Sequence, residues 1–299
     1  MGTLTAEPPA GTVTESPIEP NREEFARRRP LLLVLKPVRM KVLGIDIGGS
    51  GLKAAPVDVR TGVLTAERFK VETPTVLSPQ AMAAAVREIV DHFKWTGRIG
   101  VGFPGVVQGP LTLTSSNLHK KFIGLDTESI FAKAAGCPVS LVNDADAAGI
   151  AEMRFGAGRN VQGTVLLLTL GTGVGSALFY RGTLYPNTEL GHLPVRGRSV
   201  ERLISSAARK RRGLTWKQWG MELGAYLRTL ETILSPELFI IGGGVSAKSE
   251  KFFKYAQCRA PKVPAAAFNA AGMVGAALWA AEQKRSSPTR TPAPCPAIS

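Results

Sequence analysis

Leu43 to Lys53 read LGIDIGGSGLK, and Leu168 to Ala177 read LTLGTGVGSA. Each stretch is an apolar strand, a glycine turn carrying a hydroxyl residue, and the start of a second strand. Glycines let the chain turn tightly and bring bare N–H groups against an anion, while the hydroxyls add donors. One glycine hairpin says little, because ordinary β-turns use the same residues. Two of them, more than a hundred residues apart, with Asp46 at the end of the first strand, point to related halves facing each other across one phosphate site. In that arrangement Asp46 would hold a metal ion or polarise water beside the phosphate.

The chain has 299 residues, 44% of them hydrophobic, which is enough for one large or two medium domains with substantial cores. The three cysteines, Cys137, Cys258 and Cys295, are odd in number and scattered. They support neither a disulfide framework nor a zinc site, and they fit a reducing compartment. No apolar run approaches the roughly 20 residues of a membrane helix, so the expected location is the cytoplasm. Formal net charge is +14 with a pI near 10.0. Residues 1–39 carry six basic and five acidic side chains, so the excess lies in the body that follows. A basic body favours polyanions: nucleic acid, acidic membranes or a phosphate polymer.

Residues 1–39 are rich in Pro, Thr and Glu without a hydrophobic period, and residues 283–299 are similar; both are expected to be disordered. Between them, Val42–Ile47, Leu52–Asp58 and Val63–Lys70 read as an antiparallel meander. Ser78 and Pro79 open a helix to Phe93. Strands are expected at Ile99–Phe103 and Val139–Val142, with helices near Asp126–Ala135 and from Asp144, as helix N-cap, to Phe155. The pattern restarts with the hairpin Thr164–Leu170 and Gly173–Tyr180. A helix at Thr215–Leu234, a strand at Leu238–Ile241, a helix from Val245 and a small-residue helix at Ala271–Ala280 follow. A β-meander followed by alternating helices and strands, given twice, implies an α/β architecture with a cleft between halves. Ligands in such sheets sit at the carboxyl ends of strands, where Asp46, Phe103, Asn143, Leu170 and Ile241 fall.

Asp144 follows the apolar strand at Leu141–Val142. An aspartate there suits either a helix cap or a general base taking a proton from a substrate hydroxyl. Glu189-Leu190-Gly191-His192, after the turn Tyr185-Pro186-Asn187, offers donors and acceptors of the kind that grip several sugar hydroxyls. Thr114-Ser115-Ser116-Asn117 supplies another polar loop. Ile240 to Val245 read IIGGGV, a strand into a glycine turn suited to phosphate or ribose at a helix N-terminus. Arg196 to Arg212 hold seven basic residues against the single acid Glu201. That run is either a solvated face or a track for a second, extended anion.

These motifs, with VGFPGVV, TSSNLHKKFIGLD, LVNDADAAGIAEMRFGAG, PNTELGHL and VPAAAFNAAGMVGAAL, make the chain resemble the ROK group of sugar kinases from about Lys41 to Ala281, and within it the polyphosphate-using branch. The resemblance implies a two-lobed actin/hexokinase-like (ribonuclease H-like) α/β fold with an active-site cleft between lobes. The first lobe would be residues 40–143, completed by the helix 271–282, and the second residues 144–270. It implies Asp144 as catalytic base, and Asn117, Asn143, Glu189 and His192, with Glu201 as a further candidate, as sugar contacts. The donor phosphates would fall to Asp46, Gly48, Gly49, Ser50 and Lys53 in the first loop and to Gly171, Thr172, Gly173 and Gly175 in the second. Gly242, Gly243 and Gly244 would lie against nucleotide, and Asp46 would hold Mg²⁺. Most of the group carry a cysteine-rich zinc motif after the Glu-x-Gly-His segment. This chain has no cysteine between Cys137 and Cys258, so no zinc is expected.

The implied reaction transfers a phosphoryl group from inorganic polyphosphate, and also from ATP, to the 6-hydroxyl of glucose. Implied partners are those substrates and a second copy of the chain, with no specific nucleic acid and no membrane. A strictly ATP-dependent glucokinase, a kinase of mannose or another hexose, a ROK-type transcriptional repressor and a filament-forming or chaperone ATPase are the competing readings. A repressor would place a helix-turn-helix before the core, and residues 1–39 have too many prolines for one.

Overall fold

The computed structural model describes residues 40–49, 51–74, 77–115, 118–195, 197–266 and 270–283. The expected disordered ends, residues 1–39 and 283–299, fall outside the described residues apart from Gln283, as do the candidate site residues Ser50 and Asn117.

The first half begins with β1 (Lys41–Gly48) and β2 (Gly51–Asp58), followed by the short strands β3 (Val63–Leu64) and β4 (Phe69–Val71). Helix α1 (Pro79–Phe93) leads to β5 (Ile99–Phe103), a small meander of β6 (Val107–Gln108), β7 (Leu111–Thr112) and β8 (Leu125–Asp126), helix α2 (Thr127–Ala135), strand β9 (Val139–Asn143) and helix α3 (Asp144–Phe155). The second half holds β10 (Thr164–Leu170), β11 (Val174–Tyr180), β12 (Thr183–Tyr185), β13 (Pro194–Val195) and β14 (Arg198–Ser199). Helices α4 (Glu201–Ile204), α5 (Ser206–Arg211) and α6 (Trp216–Leu234), strands β15 (Leu238–Gly242) and β16 (Lys262–Pro264), and helix α7 (Ala271–Glu282) complete it.

The two main sheets share one plan. In the first the order is β3-β2-β1-β5-β9, with β4 also on β2; in the second it is β12-β11-β10-β15-β16. Each is an antiparallel glycine hairpin whose first strand is extended by two parallel strands. The duplication expected from the paired hairpins therefore reaches beyond the hairpins to whole sheets.

Local chemistry accounts for the main helices. Ser78 caps α1 by accepting from the Ala81 N–H at 3.2 Å, Pro79 occupies the first helical position, and Met82, Val86, Ile89 and Val90 form its buried face. Helix α6 opens on a reciprocal capping box between Thr215 and Gln218 and buries Trp219, Leu223, Leu227 and Leu230 against the second sheet. Each large apolar side chain fully removed from water contributes about 1.5–3 kcal/mol.

Helix α7 crosses back from the chain's end onto the first sheet and onto α3. A Cβ at Gly44 of β1 would overlap the Met273 carbonyl, one at Gly100 of β5 the Ala276 carbonyl, and one at Gly275 of α7 the Ala147 carbonyl of α3. Backbone thus rests directly on backbone, which only glycine permits.

Three expectations need correction. The single strand Val63–Lys70 is broken into β3 and β4, because Thr65 to Arg68 are all exposed and carry nothing to bury. The cap of α3 is Asn143, not Asp144, which is the first helical residue. The helix expected from Val245 is a short 3₁₀ segment, Ser246–Lys251, kinked at Lys248 and without a side-chain cap.

Candidate active site

The carboxyl ends of β1, β5 and β9 and the turn of the second hairpin converge on the first turn of α3. Asn143 ends β9 and caps the helix that follows: its Oδ1 accepts from the N–H groups of Ala145 at 2.9 Å and Asp146 at 3.0 Å, and its Nδ2 donates to the Gly105 carbonyl at 3.1 Å. This cap relieves Asp144 of the role; its carboxylate accepts locally from the Ala145 N–H, to Oδ1 at 2.8 Å, and from its own backbone N–H. The end of β5 lies alongside, since a Cβ at Gly102 would touch the Asp144 Cα at 3.8 Å. The second hairpin arrives from the other side: a Cβ at Gly175 would sit 2.8 Å from the Ala145 Cβ.

Several carboxylates crowd this point. Burial, then the nearby charge of Asp46, push the Asp144 carboxyl up to about 7, and Glu189 adds to the effect. Asp46 is itself raised by burial, with Lys53, its cross-strand partner, opposing the shift. The Asp46 carboxylate lies over the first turn of α7, 2.7 Å from where a Cβ at Gly272 would stand. Glu189 is raised by burial and by Glu201, with His192 opposing; His192 Nε2 stands 3.4 Å from Glu189 Oε2. Glu201 in turn reaches to 2.7 Å from a Cβ position at Gly173. The sequence candidates Asp46, Lys53, Asp144, Glu189, His192, Glu201 and the Gly171–Gly175 turn are therefore brought together.

The second glycine turn is closed by a bond from the Gly171 N–H to the Gly173 carbonyl at 3.0 Å. The adjacent segment Gly242–Gly244 follows β15, where Thr169 pairs with Gly242. Gly243 takes a left-handed φ of 80° against the Leu170 carbonyl. Gly48 and Gly49 border the first turn, with open space beside Gly49. The Asn143 amide is bonded within the protein through Oδ1 and one Nδ2 hydrogen, and its second Nδ2 hydrogen is left for a sugar hydroxyl.

Asp146 was not among the sequence candidates, yet it is 1% exposed. Its Oδ2 accepts from the Asn187 N–H at 2.7 Å, and its Oδ1 has no partner among the described residues. Burial, followed by the charges of Asp144 and Glu189, push it up to about 7 despite that hydrogen bond. Asn187 joins the halves, since its Oδ1 accepts from the Val107 N–H at 2.9 Å and its Nδ2 donates to the Val107 carbonyl at 2.8 Å. A cavity of about 920 Å³ runs along the free edge of β9, lined by Asn143, Asp146 and Asn187 but not by Asp46, Asp144 or the glycine turns. Its position behind the carboxylate cluster sets it apart from the chemistry.

Among the described residues, no group of three or more His, Cys, Asp or Glu side chains is placed to hold a metal ion. A single hard carboxylate such as Asp46 nevertheless fits Mg²⁺, which is commonly held by one or two carboxylates plus substrate phosphates. No described residue donates a hydrogen bond to Asp46, so its oxygens are free for that role. No helix among the described residues is long and apolar enough to cross a membrane.

Two glycine hairpins on duplicated sheets, closing over a carboxylate at a helix start, define the actin/hexokinase-like fold. The chain belongs to the ROK family, whose model matches residues 42–203. It is 45% identical over 236 residues to a polyphosphate glucokinase of Mycobacterium tuberculosis (strain CDC 1551 / Oshkosh), covering 79% of this chain and 89% of that one. A polyphosphate glucokinase of Mycobacterium leprae (strain TN) is 41% identical over 241 residues, covering 80% and 74%. Among solved structures, the inorganic polyphosphate/ATP-glucomannokinase from Arthrobacter sp. strain KM matches with a TM-score of 0.78 at 42% identity, covering 81% of this chain and 98% of that one.

Proposed function

We propose that the protein moves the terminal phosphoryl group of inorganic polyphosphate, and also of ATP, to the 6-hydroxyl of glucose. Similarity to two polyphosphate glucokinases at 41–45% identity supports this reaction. The single observation that carries the chemistry is Asp144, released from capping by Asn143 and raised to about 7 between the two glycine turns. A carboxylate so tuned accepts a hydroxyl proton near neutral pH while its fixed position aligns the attacking oxygen. Glu189 and His192, held as a pair at 3.4 Å, would grip the sugar, with Glu201, Asn143 and Asn117 as further contacts. The N–H groups of Gly48, Gly49 and Ser50 and of Gly171, Thr172, Gly173 and Gly175 would hold the donor, with Lys53 balancing its charge. Gly242, Gly243 and Gly244 would border a nucleoside when ATP is the donor. Mg²⁺ bound at Asp46 with the donor phosphates would neutralise charge there. Closure of the halves would exclude water and limit hydrolysis of the donor.

The test mixes purified protein with glucose and either long-chain polyphosphate or ATP and measures glucose 6-phosphate. Product from both donors is expected; product from ATP alone rejects polyphosphate as donor, and product from polyphosphate alone removes ATP. A kinase of mannose is the alternative reading, supported by likeness to the Arthrobacter glucomannokinase; mannose 6-phosphate in the same assay checks it. A homodimer in a reducing cytoplasm completes the proposal, and light scattering of the eluting protein tests the dimer.

A further inference from the structure

We propose that an arginine-lined pocket next to the second glycine turn binds phosphates of the polyphosphate chain that lie beyond those at the point of transfer. The proposal rests on the polyphosphate reading above and assigns a further subsite to it. The pocket has a volume of about 630 Å³ and is lined by Arg198, Arg202, Leu203, Arg211 and Arg212. Arg198 comes from β14, Arg202 and Leu203 from α4, Arg211 from the last turn of α5, and Arg212 from its cap.

The walls are built rather than floppy. Arg211 Nη2 donates to the Arg202 carbonyl at 3.1 Å, and Arg212 Nη1 donates to the Leu203 carbonyl at 3.0 Å. Arg212 is also fixed by a two-bond fork to Glu222 at 2.6 and 2.8 Å. Glu222 neutralises that one guanidinium. The ion pairs among the described residues include none from Arg198, Arg202 or Arg211. Arginine cannot shed its proton to relieve the crowding, so three uncompensated cations share one concavity. Ordinary solvated surfaces intersperse both signs. A concave run of guanidinium groups matches the repeated, forked acceptors of phosphate.

The same short helices hold the donor turn. The Ala207 N–H of α5 donates to the Gly171 carbonyl at 3.1 Å, and Glu201 of α4 abuts Gly173. Arg202 is the residue after Glu201, and Arg211 lies four residues, about one helical turn, beyond Ala207. A chain of phosphates leaving the glycine turn along α4 and α5 therefore meets these guanidinium groups. ATP ends in a nucleoside after three phosphates and presents no further anion, so the pocket discriminates between donors by length.

The double variant Arg198→Ala/Arg202→Ala tests this, since both side chains are exposed and neither touches the carboxylate cluster. Steady-state rates are measured with long-chain polyphosphate, tripolyphosphate and ATP, alongside anisotropy of labelled long-chain polyphosphate. The expected result is a KM for the long polymer raised about tenfold, with kcat unchanged, by loss of two charge-assisted contacts. The slope of log affinity against log salt would flatten by about one to two. KM values for tripolyphosphate and ATP should stay within about twofold. Equal changes for all three donors, or no change for any, overturn the pocket. If the wild type makes no product from polyphosphate yet binds it with an affinity the double variant loses, the subsite stands and the donor assignment falls. If polyphosphate turnover is intact and equal in both proteins, the subsite falls and the donor assignment stands. Tighter binding of a short DNA duplex than of polyphosphate at equal phosphate concentration, lost in the variant, would reassign the pocket to nucleic acid.

Discussion

Replacing Asp144 by asparagine should disable the protein and stabilise it at the same time. Burial, then the charges of Asp46 and Glu189, move this carboxyl from 3.8 to about 7. Between those two pH values the folded chain keeps a proton that the unfolded chain has released. Stability therefore falls as pH rises through that window, and the loss is complete somewhat above about pH 7. At 1.36 kcal/mol per unit, the ceiling is on the order of 4 kcal/mol. Water in the open cleft and residual contacts in the unfolded chain reduce the expected effect to about 1–3 kcal/mol. Asp144→Asn should then raise Tm by several degrees at about pH 8 and by clearly less at about pH 5, where the folded wild-type group is still neutral and only the start of the window has been crossed. Scanning calorimetry at both pH values, without donor or Mg²⁺, reads this directly. Turnover in the variant should fall by at least about 10²-fold while glucose affinity holds. In the wild type, kcat/KM should drop tenfold per unit below about pH 7. An equal Tm change at both pH values would show that Asp144 carries no strained charge, and turnover within tenfold of wild type would remove it from the chemistry.

Gly275→Ala forces a methyl into the Ala147 carbonyl with backbone on both sides; a loss of about 3 kcal/mol or more is expected from a urea midpoint, and an unshifted midpoint refutes the close contact. Asp146→Asn keeps an acceptor for the Asn187 N–H, whereas Asp146→Ala leaves that donor buried and unpaired at a cost of about 1–3 kcal/mol. Glucose KM should rise for the alanine variant and stay near wild type for asparagine, because the Asn187 N–H bond holds the chain leading to Glu189; identical behaviour of the two would deny that Asp146 positions that segment. Tyr226 donates to the Leu190 carbonyl at 2.8 Å, steadying the Glu189–His192 segment. Tyr226→Phe should cost about 1 kcal/mol and raise glucose KM a few-fold, and a change confined to kcat would contradict this.

The paired hairpins were readable because glycine spacing and alternating apolar residues act locally, and the sheets formed where those patterns stood. Asp144 was placed correctly in the chain but given the wrong local job. Two adjacent polar residues at a strand-to-helix joint compete for one cap, and only the reach of the Asn143 side chain to Gly105 decides between them. Asp146 was overlooked for a related reason: an acid in a first helical turn reads as ordinary dipole chemistry. Its partner Asn187 is 41 residues away, beyond any local pattern. The meander of β6, β7 and β8 has strands of two residues each, too short to show a period. The basic run was visible as charge, but its concave shape depends on two backbone carbonyls accepting from Arg211 and Arg212.

Helix α7 follows every described strand in sequence, lies on β1 and β5, and sets its opening turn beside Asp46. While the protein is being synthesised, β1 and β5 must wait until residues 271–282 emerge from the ribosome before that cover forms. Until then one face of the earliest sheet stays open to other chains, and the carboxylate at its edge has no final surroundings. A nascent chain stalled before residue 271 would consequently be a natural client for chaperones, and catalytic competence would appear only once residues 271–282 have been made.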